Sequence, residues 1–273
     1  MPALFGSDAY SPAEIAEKIE SVGVKKARLP FLSMAMLGLL AGAFIGWGSL
    51  YFTVVTSDAS LPFAASRVLG GLVFSLGLLL VIVAGAELFT GNNLLAMAWA
   101  DGRITTRELL RNWVIVCCSN FVGAAGLALL VFLSGHTAMN DGHIAEQYLN
   151  IANAKCQLPF LQALLRGALC NVLVCLAVWM AMAGRSVTDK AVAIVFPISA
   201  FVAAGLEHSV ANFYFIPLAW MIKLHGGVAG YDAISIAGFL HNIVPVILGN
   251  LLGGGVLVGM VYHVIYRRAT PGS

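Results

Sequence analysis

The chain has 273 residues, of which 60% are hydrophobic and 10% are charged. A soluble globular domain carries about 25% charged residues. This composition therefore excludes a soluble fold and indicates a membrane protein, as does the mean hydropathy of +0.89. The net charge of +2 comes without a basic patch, so nucleic acid is not an expected partner.

The first segment, residues 1–28, is polar and lacks the apolar core of a cleavable signal sequence. Residues 11–14 (Ser-Pro-Ala-Glu) are typical of a capped helix start, with proline at the first helical position and glutamate at the third. Apolar residues then recur at helical spacing and predict an amphipathic cytoplasmic helix over residues 12–26. This helix is either an interfacial anchor or a plug or partner-docking segment that gates a pore.

Six apolar runs follow, each near or above the roughly 20 residues that an α-helix needs to cross a bilayer. They cover about 30–56, 63–98, 109–134, 158–183, 190–222 and 233–265. The predicted fold is an all-α membrane protein with six transmembrane helices. These form one domain over residues 29–268, followed by a short tail over 269–273.

Basic residues are concentrated on one side of the predicted helices. Of the 15 Lys and Arg residues, only four fall on or toward the other side. These four are Arg67, Lys155, Arg166 and Lys223. The positive-inside rule therefore places both termini of this multi-pass protein in the cytoplasm.

The chain contains a weak internal repeat. A G-x-E-x4-N pattern occurs twice, 120 residues apart, at Gly85, Glu87 and Asn92 and at Gly205, Glu207 and Asn212. An N-x7-N-x2-G pattern occurs twice, 130 residues apart, at Asn112, Asn120 and Gly123 and at Asn242, Asn250 and Gly253. Each copy holds three apolar runs, and an odd number inverts the second copy. The halves are therefore expected to be related by a pseudo-two-fold axis in the membrane plane.

Polar residues interrupt the second and fifth runs at equivalent places, which points to a binding site near the midplane. The half-helix that begins after such a break offers its positive end to an anion. We expect Glu87 and Glu207 to accept hydrogen bonds from the freed backbone N–H groups, with Asn92 and Asn212 also supporting the breaks. The alternative is that the two carboxylates carry protons or bind cations.

His208 follows Glu207 in the second interruption, where the surroundings are apolar. A charged side chain in such a position costs roughly 2.5–3.5 kcal/mol on insertion scales, so an ionisable residue there is a functional candidate by default. The structural alternative is an imidazole that only caps a broken helix.

No Cys, His or carboxylate spacing predicts a metal or cofactor, and four of the five cysteines lie within apolar runs. A membrane-embedded enzyme using Glu207 and His208 as acid and base would need a further nucleophile or metal cluster. A neutral-solute pore of broken-helix type would need paired Asn-Pro-Ala turns. The sequence shows neither, so we expect neither an enzyme nor a water or glycerol pore.

Four segments, in order, resemble the formate/nitrite transporter family of bacterial and archaeal anion channels, over nearly the whole chain. They are 85–92 (GAELFTGN), Asn112-Trp113 with Gly123, 171–180 (NVLVCLAVWM) and 205–212 (GLEHSVAN). The resemblance implies an aquaporin-like protomer with inverted three-helix repeats and broken helices 2 and 5. It also implies a homopentamer in the lipid bilayer of a bacterial or archaeal cytoplasmic (inner) membrane.

By matching motif positions, the resemblance implies apolar constrictions and a central chamber. The constriction residues would be Phe74, Leu78, Leu88, Val174 and Phe201. The residues of the substrate pathway would be Thr90, Lys155, Asn171 and His208. Lys155 and the half-helix ends would attract the anion, Thr90 and Asn171 would hydrogen-bond it, and His208 would protonate it so that a neutral acid crosses. Histidine suits that role because its ordinary pKa of about 6.5 lies near physiological pH.

The substrates implied are small monovalent anions, with a proton as partner. The 184–186 loop (Gly-Arg-Ser) and the extended N-terminal helix favour formate. The turn at 91–93 (Gly-Asn-Asn) departs from the hydroxyl-rich turn of formate channels and favours nitrite or hydrosulfide. We expect pH-dependent passage of formate first, with nitrite or hydrosulfide as the alternative.

Overall fold

The computed structural model describes residues 9–268, so the predicted tail at 269–273 lies outside the described residues. The described part is all-α. Its main helices are α1 Pro12–Ala27, α2 Phe31–Thr56, α3 Phe63–Gly85, α4 Leu95–Ala100, α5 Thr106–Leu133, α6 His143–Cys156, α7 Phe160–Ala183, α8 Val187–Ala203, α9 Ser209–Gly226 and α10 Ile236–Arg267.

Five of these helices, α2, α3, α5, α7 and α10, are long and apolar enough to cross a membrane. They correspond to five of the six predicted runs. The remaining run, 190–222, forms two helices, α8 and α9, with a break between them. The second run breaks in the same way between α3 and α4, where a 3-10 turn at Gly91–Leu94 leads into α4. The predicted interruptions in runs two and five are therefore confirmed.

The packing of α3 against α8 shows that the halves are inverted. Arg67 bonds to Ala203, and Ser75 donates to the carbonyl of Val195. The two helices therefore run antiparallel. Ser75 and Val195 lie 120 residues apart, which is the offset of the first repeat pattern, so they are equivalent positions in the two halves. Because these equivalent positions touch, the two-fold axis that exchanges the halves passes beside their contact and crosses the two helices.

The repeat extends beyond the three predicted runs. The longest predicted connection, 135–157, contains α6, which precedes α7 as α1 precedes α2. Both helices end with a lysine in the last turn, Lys26 in α1 and Lys155 in α6. Helices α1–α5 therefore correspond to α6–α10. We call the two ends of the molecule the α1 face and the α6 face.

Glycines bring α2 against α5 and α7 against α10. A Cβ on Gly123 of α5 would overlap the carbonyl oxygen of Leu39, and one on Gly253 of α10 would overlap that of Ala168. Small residues at such crossings let helix backbones approach closely in membranes. The equivalent positions of these glycines in the two halves explain why the second repeat pattern includes them.

Gly123→Ala is expected to destabilise the protein by about 1–3 kcal/mol, because the added methyl group must push α2 away. Gly126→Ala on the same helix is the matched control, since a Cβ there meets nothing within 4 Å. Alanine at that position gains up to about 1 kcal/mol of helix propensity. Thermal unfolding of the detergent-solubilised variants checks this, and equal midpoints would contradict the packing role.

Helix α1 has the predicted capping box between Ser11 and Glu14 and packs on the helix bundle. Its buried Glu20 lies 2.9 Å from Arg267 of α10 and 3.6 Å from Arg103. Burial raises the pKa of Glu20, and the Arg267 beside it opposes this shift. Two guanidinium groups thus neutralise the buried carboxylate and tie α1 to the bundle. A purely interfacial anchor would not make these contacts.

Candidate functional site

Each break begins at a glycine in the left-handed region. Gly85 ends α3 with φ of 88°, and Gly205 follows the end of α8 with φ of 71°. Side chains rarely adopt this backbone conformation, so glycine is required where the helix stops abruptly. Both breaks leave backbone N–H and C=O groups without helical partners, and these need partners in an apolar interior.

Asparagines on neighbouring helices satisfy that freed backbone. Asn120 of α5 accepts from Phe89 N at 2.9 Å and donates to Glu87 O at 2.9 Å. Asn250 of α10 accepts from Ser209 N at 3.0 Å and donates to the carbonyl of Glu207 at 3.1 Å. The prediction that the Glu87 and Glu207 carboxylates accept from the freed N–H groups is therefore wrong. A neutral amide serves better because it is both donor and acceptor.

The Glu207 carboxylate binds a lysine and two asparagine side chains. Oε1 lies 2.9 Å from Lys155 Nζ, and Oε2 accepts from Asn212 at 2.7 Å and from Asn242 at 3.2 Å. Asn242 also donates to the carbonyl of Lys155 at 2.9 Å. Glu207 is therefore neutralised by a cation and braces the break.

The first half repeats this network with different residues. Glu87 Oε1 lies 3.0 Å from Lys26 Nζ, and Oε2 accepts from Asn92 at 2.7 Å. Asn112 donates to the carbonyl of Lys26, as Asn242 does to that of Lys155. The sequence did not point to Lys26, although it lies 129 residues before Lys155, one short of the 130-residue offset of the second repeat pattern. Glu87 with Asn92 and Glu207 with Asn212 thus form two equivalent networks beside the breaks.

His208 and Thr90 join the two breaks at the centre of the molecule. His208 Nε2 lies 3.0 Å from Thr90 Oγ1, and both residues are buried. The other ring nitrogen, Nδ1, accepts from Ala211 N at 3.1 Å and caps α9. Because Nδ1 accepts a hydrogen bond from a backbone N–H, the ring proton of the neutral imidazole is on Nε2, which donates to the threonine hydroxyl. The cap and the central contact thus use the two nitrogens of one ring.

Apolar side chains lie on both sides of this central contact. Phe74 and Phe201 meet edge to face at 5.7 Å, and the Phe201 ring stacks on His208 at 5.9 Å. These three line a vestibule of about 390 Å³ that opens on the α6 face. Leu78 and Leu88 line a cavity of about 50 Å³ beneath α1. Four of the five predicted constriction residues thus fall into two groups, with Thr90 and His208 between them.

Val174 and Asn171 lie on α7. Val174 is buried in the core one turn before Val178, which lines the narrow cavity. Asn171 is fully buried, and its amide N–H groups donate to the carbonyls of Thr90 and Asn250 and to Asn93. Its donors therefore link the first break to α10. Only its Oδ1 lacks a hydrogen-bond partner among the residues described.

Comparison with known proteins identifies the family. Residues 13–264 match the family model described as formate/nitrite transporter. The chain belongs to the formate/nitrite transporter family. It is 40% identical to the formate channel FocA of Escherichia coli (strain K12), with 96% of each chain covered. It is 38% identical to FocA of Haemophilus influenzae, with 93% of this chain and 94% of that protein covered.

A solved formate channel has the same fold as this chain. It is a pentameric formate channel with formate bound, which superposes with a TM-score of 0.80 and is 38% identical. The match covers 86% of this chain and 97% of that chain. The sequence-based assignment to this family and to its all-α membrane fold is therefore confirmed. The relatives are named as channels, not as enzymes.

Proposed function

We propose that this protein passes formate across the membrane together with a proton. Support comes from the full-length similarity to formate channels and from one observation, the buried contact of His208 with Thr90 between two apolar groups. A bare anion cannot cross such groups cheaply, because desolvating an isolated charge costs many kcal/mol. A weak acid crosses readily once it is protonated.

The state of His208 links the proton to the anion. In the resting state Nδ1 accepts from Ala211, so adding a proton there breaks the helix cap. It also places a positive charge at the helix N-terminus, which the helix dipole disfavours. An anion arriving beside Thr90 offsets that charge. Protonation and anion binding therefore favour each other, and the proton passes from His208 to the anion to form the neutral acid.

The remaining parts of the proposal concern assembly and orientation. We assign the α1 face and both termini to the cytoplasm, because most basic residues lie on that side. The location is then a bacterial or archaeal inner membrane, with six spans formed by α2, α3–α4, α5, α7, α8–α9 and α10. Exposed apolar side chains cover much of these helices. Such faces suit lipid and neighbouring protomers, and the pentameric relative supports a homopentamer.

Nitrite or hydrosulfide remains the alternative substrate. In the sequence, the Gly-Asn-Asn turn at 91–93 favours it. However, Asn92 bonds to Glu87 and Asn112, and Asn93 bonds to Phe89 and Asn171. These amides support the break, so they do not select the anion. Thr90 supplies the hydroxyl at the centre, which favours formate.

Uptake of labelled formate into proteoliposomes, in competition with unlabelled anions, tests the proposal. Formate is expected to compete more strongly than nitrite or hydrosulfide at equal concentration and pH. Liposomes without protein give the background from formic acid that diffuses through the lipid. No protein-dependent uptake, or displacement of formate by a tenth as much nitrite or hydrosulfide, would contradict formate as the main substrate.

A further inference from the structure

The two mouths of the path differ in charge. The α6-face vestibule is lined by Arg67, Lys155 and Arg166 together with one carboxylate, Glu207. The α1-face cavity has Lys26 as its one charged lining residue among those described. Of the four basic residues that the sequence places on the α6 side, three therefore line one vestibule. The α6 side is poor in cations overall, so this grouping is a local feature.

The inverted repeat shows which of these cations are additional. Lys155 and Lys26 are equivalent, and each is paired with a break glutamate. Arg67 lies 120 residues before Val187, which is its counterpart on α8. The backbone N–H of Glu207 donates to the carbonyl of Arg166, and that of Glu87 donates to the carbonyl of Leu37. Leu37 is therefore the counterpart of Arg166 in the first half. Two arginines of the α6 face thus replace apolar residues of the α1 face.

Neither arginine is neutralised by a carboxylate within residues 9–268. Arg67 donates Nε–H to the carbonyl of Ala203 at 3.1 Å and Nη2–H to that of Val202 at 2.6 Å. These carbonyls end α8 and carry the negative end of its dipole toward the vestibule. Arg67 offsets that negative end, which would otherwise repel an anion.

Arg67 also lies near the constriction. Its partners Val202 and Ala203 directly follow Phe201, and Phe74 is two turns further along its own helix. The two hydrogen bonds of Arg67, which we call the clamp, therefore fix α3 against the end of α8 where the two phenylalanines meet. Among the described residues, the side chain of Arg166 has no such hydrogen bonds, so it contributes charge alone.

We infer that the α6-face vestibule is an anion-capture site that gives the path asymmetric affinity. Arg67 and Arg166 concentrate the small anion there before it reaches His208, and the opposite mouth has no equivalent. Three cations and one carboxylate line this concave site, and a surplus of one sign of charge raises the local concentration of the opposite ion. The inference rests on the proposed function, because the captured ligand is the transported anion.

The test measures labelled formate uptake against concentration in right-side-out and inside-out membrane vesicles that contain the full chain. In the proposed orientation, right-side-out vesicles present the α6 face. At low ionic strength, where the Debye length is about 30 Å, the wild type should saturate at lower formate from the α6 face. Arg166→Gln should raise that half-saturation concentration about three- to tenfold and leave the value from the α1 face nearly unchanged.

Two variants of Arg67 separate the effect of its charge from the effect of its hydrogen bonds to α8. Arg67→Gln should raise the half-saturation concentration as Arg166→Gln does and should also slow flux at saturating formate. Arg67→Lys should keep the low half-saturation concentration and lose only part of the maximal flux. Arg107→Gln, an exposed arginine at the start of α5, is the matched control and should match the wild type. High salt should remove the difference between the faces in the wild type.

Equal half-saturation concentrations from both faces in the wild type would overturn the inference. An Arg166→Gln variant no different from Arg107→Gln would do the same. If either result is found while formate uptake is still saturable, the inference fails and the proposed function stands. Failure of the proposed function is distinct, because formate uptake would then be missing in the wild type and in the Arg107→Gln control alike.

Discussion

His208→Asn is expected to slow formate flux at least about tenfold, since acid–base groups in position typically contribute a hundredfold or more. The remaining flux should lose its pH dependence. Asparagine is a good helix cap, so it can replace Nδ1 as the acceptor of Ala211 N–H while offering no titratable proton. Flux into proteoliposomes at a series of pH values measures both effects.

The asparagine variant separates the two interpretations of the histidine. If His208 only caps α9, then His208→Asn keeps flux and pH dependence, and His208→Ala loses stability because the cap is gone. If His208 delivers the proton, both variants lose pH-dependent flux and only the alanine variant unfolds at lower temperature. His143→Asn, at the exposed start of α6, is the matched control and should change neither quantity.

Lys155→Met is expected to destabilise the protein by about 3 kcal/mol, because it leaves Glu207 buried and charged without its cation. Lys26→Met should have a smaller effect, because the Lys26 and Glu87 side chains are 27% and 7% exposed against 15% and 4% for Lys155 and Glu207. Lys155→Met should also reduce flux, since an unpaired carboxylate beside the path repels anions. Thermal unfolding and formate uptake measure the two consequences.

The double variant Lys155→Met with Glu207→Gln should recover most of the lost stability. Removing both charges together leaves hydrogen bonds to Asn212 and Asn242 without a buried unpaired charge. Lys25→Met, one residue before Lys26 and exposed, controls for the loss of a positive charge. If the double variant recovers less than a quarter of the stability that Lys155→Met loses, then Lys155 is not the group that neutralises Glu207.

The sequence alone predicted the inverted repeat and both breaks, because each depends on a short pattern of Gly, Glu and Asn in an apolar run. His208 stands out as an ionisable residue in an apolar run, and the family resemblance adds Thr90. The partners of the breaks were harder to predict. Asn120 and Asn250 were visible as a repeated pair, but nothing in their spacing said that they bind the backbone of another helix segment.

The contacts of Lys26 and Asn171 depend on tertiary packing. Lys26 lies in a polar segment that was assigned to an amphipathic helix, and its link to Glu87 requires α1 to fold over the bundle. Asn171 was assigned to substrate binding, whereas its amide donors are used by Thr90, Asn93 and Asn250. An asparagine in an apolar helix is a site candidate by composition, and only the packing shows whether its partner is backbone or ligand.

Simultaneous measurement of formate and proton uptake tests the central claim, that His208 passes a proton with each anion. Proteoliposomes loaded with a pH-sensitive dye receive an inward gradient of labelled formate, with the membrane potential clamped by potassium and an ionophore. We expect the lumen to acidify in step with formate uptake, at a rate that is insensitive to the clamped potential. In His208→Asn both rates, after subtraction of the lipid background, should fall at least about tenfold. Formate uptake that follows the potential without acidifying the lumen would contradict it.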